Sequence, residues 1–190
     1  TFKLMTYLAA LEKGIKPSET IDCGSLNWRG QRFESSCSGR LSLTSAFASS
    51  SNTAALRLAQ RVGLEQVVRQ ARALGITTPM DPVPGLALGQ SEVRLIELTG
   101  AYAAVLNKGE WKPPSTIRRL LDGETCRDES PRGCGNLVGV ADRGMTPGRQ
   151  AMRRESAAQM QGLLRAVVRG GTGKAASLGG KEGGKTGTTN

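Results

Sequence analysis

The sequence predicts a mainly α-helical chain with little sheet, and two observations carry that expectation. Apolar residues recur at i, i+3, i+4 and i+7 in several stretches, and a glycine closes most of them. All seven aromatic residues lie at or before Trp111, so residues 112–190 hold no ring to pack. Glycines number 25 among 190 residues, well above the usual share of ~7%. A chain so poor in rings and rich in glycine reads as part of a domain whose remainder lies elsewhere.

The first helix spans Phe2 to Lys13, with Leu4, Met5, Leu8, Ala9 and Leu11 apolar, Gly14 as its stop and Pro17 beyond it. Residues 15–40 are polar, with Gly, Ser and Asn, and are expected to form a long loop. Leu41 to Ala48 suits a short helix. Asn52 to Val62 follows, with Ala55, Leu58, Ala59 and Val62 on one stripe before Gly63. Leu64 to Leu74 places Leu64, Val67, Val68, Ala71 and Leu74 on one face, and Gly75 ends it. Residues 76–90 carry three prolines and read as a loop. Ser91 is expected to cap a helix running to about Asn107, with Glu92 in its first turn. That helix would bury Val93, Ile96, Leu98, Ala101, Tyr102 and Val105, and Gly109 would stop it. Ser115 to Leu121 suits a strand before a turn at Asp122-Gly123, and residues 124–150 look irregular. Arg154 to Arg169 is the last helix, with Ala157, Met160, Leu164, Val167 and Val168 inward. A glycine-rich stretch leads to a polar end, Lys185 to Asn190, with no internal repeat or linker.

Composition excludes whole classes of chemistry. The chain has no histidine, so Ser-His-Asp and Cys-His catalysis, HExxH zinc sites and any His-ligated metal are impossible within it. A proton shuttle here must be a lysine, a carboxylate or a hydroxyl. The net charge is +10, and residues 127–190 carry 11 basic against 5 acidic side chains, a field that attracts anions. Single-strand nucleic-acid binders pair basic grooves with stacking aromatics, and the basic third has none, so nucleic acid is not expected as a partner. No run of ~18 apolar residues marks a membrane span. The chain opens at Thr1 without a signal peptide and reads as an excised segment.

The four cysteines fall as Cys23 with Cys37 and Cys126 with Cys134, each pair closing a loop-like segment. None forms CxxC, which argues against a zinc site. Four buried thiols stay open as a reading beside two local disulfides, which would place the chain in an oxidising compartment.

Gly179 to Thr186 satisfies the GxxxxGK[ST] pattern of a phosphate-binding loop. That loop needs a buried apolar strand before it and a helix after it. Lys174 to Leu178 is too short and weak for such a strand, and only four residues follow Thr186, so no nucleotide site is expected.

The same Lys185-Thr186-Gly187 fits another constellation. Lys-Thr-Gly on a strand edge, Ser-x-Asn on a loop before a helix, and Ser-x-x-Lys at a helix start recur together in penicillin-recognising serine enzymes. Ser50-Ser51-Asn52 supplies the second element, and a serine immediately before Thr1 would complete the third with Lys3. Longer segments carry the likeness further. Leu86 to Gly109 (LALGQSEVRLIELTGAYAAVLNKG) and Leu163 to Gly173 (LLRAVVRGGTG) resemble stretches of class A penicillin-binding proteins, as do the helix from Phe2 to Gly14 and Ser50 to Leu58. Residues 22–40 and 122–150, which hold all four cysteines, match least. The chain, residues 1–190, is thus similar to part of the transpeptidase domain of a bifunctional class A penicillin-binding protein, expected to be truncated at both ends. The fold implied is the helical subdomain of an α+β penicillin-binding or β-lactamase-like transpeptidase, with little of the antiparallel sheet.

The resemblance implies D,D-transpeptidation, cross-linking peptidoglycan stem peptides that end in D-Ala-D-Ala through a serine acyl-enzyme, with β-lactams as acylating inhibitors. Lys3 would be the base, Ser50 the relay to the leaving group, and Asn52 an anchor for Lys3 and the substrate amide. Lys185 would set the field. Thr186, Gly187 and Thr188 would bind the substrate, the two threonines taking its terminal carboxylate and the Thr188 N–H serving as an oxyanion donor. Partial burial and a second cation would push the Lys3 amine down so that it can accept a proton. No cofactor or metal is implied. The location implied is the periplasmic face of the cell envelope, with the membrane reached only through an N-terminal anchor outside this chain. The chain alone is expected to be inactive, since the nucleophile lies outside it. The alternatives are a β-lactamase or penicillin sensor, and a non-catalytic basic binding module.

Overall fold

The computed structural model describes residues 1–114 and 147–187. Its core is built around α1 (Lys3–Glu12), where every residue from Phe2 to Leu11 is buried. A helix apolar on nearly all sides belongs at the centre of a bundle. Three helices surround it: α3 (Asn52–Val62), α4 (Leu64–Ala73) and α6 (Arg154–Gly170). The short α2 (Leu43–Ala48) lies along α6, and α5 (Leu95–Leu106) packs on α6 from elsewhere on its surface. Tyr7 and Phe47 meet edge to face at 4.8 Å and fasten α1 to α2. The fold thus carries the start of α1 deep into the molecule, and Lys3 with it.

Each helix has a local reason for its limits. The Ser42 hydroxyl accepts from the Ser45 N–H and caps α2, and the Ser51 hydroxyl accepts from the Ala54 N–H and caps α3. α1 and α4 end in the same way, with Gly14 and Gly75 left-handed and the next residue bonding back five positions, Ile15 to Ala10 and Ile76 to Ala71.

The polar stretch expected as one loop contains two short hairpins. β1 (Thr20–Asp22) pairs antiparallel with β4 (Arg40–Ser42), and β2 (Leu26–Trp28) with β3 (Gln31–Phe33). Arg29 and Gly30, both at positive φ, make the two-residue turn between β2 and β3. In these strands only Ile21 and Leu26 are buried, too few for a periodic signal in the sequence. Cys23 and Cys37 are disulfide-bonded, their Cα atoms 5.5 Å apart. The expected Cys126–Cys134 bond and the strand at Ser115 to Leu121 lie outside the described residues.

The helix expected from Ser91 begins instead at Leu95, after the extended Arg94. Of the six residues expected inward, Ala101 and Val105 are buried and Val93, Leu98 and Tyr102 are half-buried against the core, but Ile96 is 45% exposed and Glu97 is buried beside it. Glu97 accepts from the Thr77 N–H and from the hydroxyls of Thr77 and Thr78, so a buried carboxylate ties α5 to the proline-rich loop. After α5, β5 (Glu110–Trp111) pairs with β6 (Arg149–Gln150), and the Arg149 guanidinium lies 4.7 Å from the Trp111 ring centroid. Among the described residues no helix is long and apolar enough to cross a membrane.

Candidate active site

Three distant pieces of chain meet at one hydroxyl. Lys3 comes from the first turn of α1, Ser50 and Asn52 from the joint between α2 and α3, and Lys185 from the glycine-rich C-terminal segment. Lys3 Nζ donates to the Ser50 carbonyl at 2.6 Å, to Asn52 Oδ1 at 2.5 Å and to Ser50 Oγ at 3.1 Å. All three ammonium donors are therefore used. Lys185 Nζ donates to the same Ser50 Oγ at 2.8 Å and to the Thr186 carbonyl at 3.1 Å, with the Phe47 ring centroid 5.7 Å away.

Burial dictates the electrostatics. Lys3 is 7% exposed, and desolvation, helped by the positive charge of Lys185, lowers its amine from 10.5 to about 8. Lys185 is also lowered, by burial. An amine near 8 is neutral in a useful fraction of molecules at physiological pH, which a base requires.

The joint that presents Ser50 is a helix C-terminal turn with an unusual occupant. Ser50 is left-handed at φ +57°, its N–H bonds to the Phe47 carbonyl, and the Ser51 N–H bonds to the Ala46 carbonyl. This is the closure found after α1 and α4, where glycine takes the left-handed place. A side chain there costs about 1–2 kcal/mol, and here it delivers a hydroxyl between two lysines.

The Lys185 segment is seated by contacts that sequence reading did not assign. The Gly184 N–H bonds to the Leu164 carbonyl of α6, and a Cβ on Gly183 would come within 3.0 Å of Leu164 Cβ. Gly171 sits so close to the end of α2 that a Cβ there would lie 2.3 Å from the Ala48 carbonyl oxygen. Thr172, next in the chain, donates its N–H to that carbonyl, and its hydroxyl lies 2.6 Å from the Thr186 hydroxyl. Two glycines of the phosphate-loop-like pattern, Gly183 and Gly184, thus seat the segment beside α6. Lys185 to Gly187 forms no strand pairing among the described residues, so the strand edge expected there is not seen. Thr188 lies outside the described residues. Gly187 comes back beside the start of the chain, where its Cβ position is 3.2 Å from the Thr1 nitrogen. The only available signal for Thr172 was the Gly-Thr-Gly turn itself.

A cleft of about 990 Å³ opens beside Ser50, lined by the Ser49 to Thr53 joint, by Gly171 and Thr172, and by the Glu34 to Cys37 stretch. Among the described residues no group of carboxylates and cysteines is arranged to hold a metal ion.

The family model of the penicillin binding protein transpeptidase domain matches residues 1–190. The chain belongs to the penicillin-binding protein transpeptidase family. Penicillin-binding protein 1A of Rickettsia conorii is 29% identical over 209 residues, covering 99% of this chain and 26% of its own length. Penicillin-binding protein 1A of Aquifex aeolicus is 32% identical over 199 residues, covering 98% and 25%. The chain therefore spans about a quarter of the curated relatives it matches. In fold it is similar to penicillin-binding protein PonA1 from Mycobacterium tuberculosis, with a TM-score of 0.73 at 22% identity over 88% of this chain and 46% of that one. Penicillin-binding protein 3 from Mycobacterium tuberculosis, solved in complex with aztreonam, gives a TM-score of 0.73 at 25% identity, over 93% and 44%. These neighbours agree with a helical portion of the penicillin-binding transpeptidase fold.

Proposed function

We propose that this chain is the helical part of a serine D,D-transpeptidase domain that joins peptidoglycan stem peptides and is acylated by β-lactams. The observation that carries this reading is Ser50 Oγ, held by both Lys3 Nζ and Lys185 Nζ beside a cleft. The nucleophile is a serine at the position before Thr1, one helical turn from Lys3. Support for that position comes from the start of the chain lying against the Lys185 segment, where a Cβ on Gly187 would come 3.2 Å from the Thr1 nitrogen.

Lys3, as a neutral amine, takes the proton of that serine while its oxygen bonds to the carbonyl carbon of the penultimate D-alanine. The tetrahedral intermediate collapses with cleavage of the peptide C–N bond, and the leaving D-alanine amine takes a proton through Ser50. The acceptor amine then attacks the ester carbonyl, the new C–N bond forms as the acyl–oxygen bond to the serine breaks, and a proton of that amine passes through Lys3 to the serine oxygen. Asn52 holds Lys3 and the substrate amide, Lys185 supplies positive potential, and Thr186 and Thr188 receive the terminal carboxylate. A β-lactam follows the same first step, with its ring amide in place of the peptide bond. Substrates of this kind place the domain on the outer face of the cytoplasmic membrane, in the cell envelope.

Fluorescent penicillin added to the full-length protein tests this reading. One equivalent should attach covalently, and Lys3→Ala should nearly abolish attachment because the proton then has no acceptor. Labelling that survives Lys3→Ala undiminished would refute the assignment of the base.

A further inference from the structure

The segment least like the family, residues 22–40, forms one wall of the cleft beside Ser50, through Glu34 to Cys37. It is tied to the opposite wall by specific bonds. The Cys23–Cys37 disulfide fixes the segment upon itself, and Cys23 is fully buried. Thr53, the residue after Asn52, is also buried, and its hydroxyl donates to the Cys23 carbonyl at 2.6 Å. The same hydroxyl lies 3.4 Å from Ser51 Oγ, the cap of α3. One turn along, Arg57 donates to the carbonyls of Gly24 and Ser25 at 2.6 and 3.0 Å. Valine would fill the volume of Thr53 but could not make the bond to the Cys23 carbonyl, so that bond is what a valine substitution removes.

We propose that Thr53 is a positioning residue for Ser50 and Asn52, and that the disulfide-linked Cys23 is the fixed point against which it holds them. The inference rests on the transpeptidase reading of those two side chains. Its physical basis is the left-handed backbone of Ser50, since such strain persists only where the surroundings over-determine it. The turn ending α2 fixes one side of Ser50. Thr53 fixes the other, on a wall cross-linked independently of the helices.

The test uses the full-length protein with Thr53→Val, Thr53→Ser and the paired Cys23→Ser/Cys37→Ser change. Labelling of the unchanged protein by fluorescent penicillin checks the transpeptidase reading separately. Thr53→Val should slow acylation roughly ten- to hundredfold through misplacement of the reacting groups. It should also move the rising limb of the pH–rate profile upward, because a loosened joint admits water to Lys3 and relieves its desolvation. Thr53→Ser should restore both, and the cysteine pair should behave as Thr53→Val does. Hydrogen exchange at the Ser50 and Ser51 amides should quicken in the valine and cysteine variants but not in the serine variant, a readout independent of any reaction with penicillin. Wild-type exchange at those two amides in Thr53→Val, or an unmoved pH limb with a wild-type acylation rate, would overturn the proposal.

Discussion

The side-chain nitrogens of Lys3 and Lys185 share one acceptor, Ser50 Oγ, at 3.1 and 2.8 Å. Burial pulls both amines down, and the charge of Lys185 adds to the effect on Lys3, which falls to about 8. Acylation by penicillin should therefore rise with pH and level off above about 8, as the Lys3 amine loses its proton. Lys185→Ala removes one of the two causes that lower Lys3 and should shift that limb to higher pH. Stopped-flow acylation from pH 6 to pH 10 measures both curves.

Ser50 occupies the place that Gly14 and Gly75 take after other helices. Ser50→Gly and Ser50→Ala both lose the hydroxyl, but only glycine relieves the left-handed strain. The glycine variant should unfold with about 1 kcal/mol more stability than the alanine variant. Both should acylate far more slowly than the unchanged protein. Chemical denaturation with parallel penicillin labelling separates the two effects.

Gly171→Ala should damage the site from a distance. Its Cβ would lie 2.3 Å from the Ala48 carbonyl oxygen, so the turn bearing Thr172 must move away. Overpacking of this kind costs about 1–3 kcal/mol, and the Thr172–Thr186 contact is lost with it. Thermal unfolding and acylation rate should fall together. A variant with unchanged acylation would show that Thr172 does not seat the Lys185 segment.

Glu97 should give the protein an acid-sensitive component of stability. Its carboxyl is lowered from 4.5 to about 2, first by the Thr77 hydroxyl and then by the bonds from Thr78 and the backbone. A carboxyl with a lowered native pKa stabilises the fold above its unfolded value, and that contribution is lost as pH falls through the native one. The loss should therefore run from about pH 4.5 toward pH 2. Glu97→Gln should flatten the denaturation curve over that window.

Much of the helical framework was legible because its signals are local. Asn52–Val62 has the expected limits, since its stripe, its cap and Gly63 all lie within a dozen residues. α6 is one residue longer than expected and buries all five residues assigned inward. The Cys23–Cys37 pairing also follows from the expected grouping. The hairpins of residues 20–42 were missed because three-residue strands are too short to show alternation, and Arg29-Gly30 is a weaker turn signal than Asn-Gly. The start of α5 was misplaced because Glu97 answers to Thr77 and Thr78, some twenty positions away. The gathering of Lys3, Ser50, Asn52 and Lys185 was expected from motif order. Thr172 and Thr53 escaped notice because their roles exist only as contacts across the fold.

The central claim is that a serine immediately before Thr1 is the group acylated, with Lys3 as its base. Peptide mapping by mass spectrometry of the penicillin-labelled full-length protein tests it most directly. The adduct should sit on that serine, at one equivalent per chain. An adduct on Ser50, Thr1 or any other residue from 1 to 190 would contradict the claim.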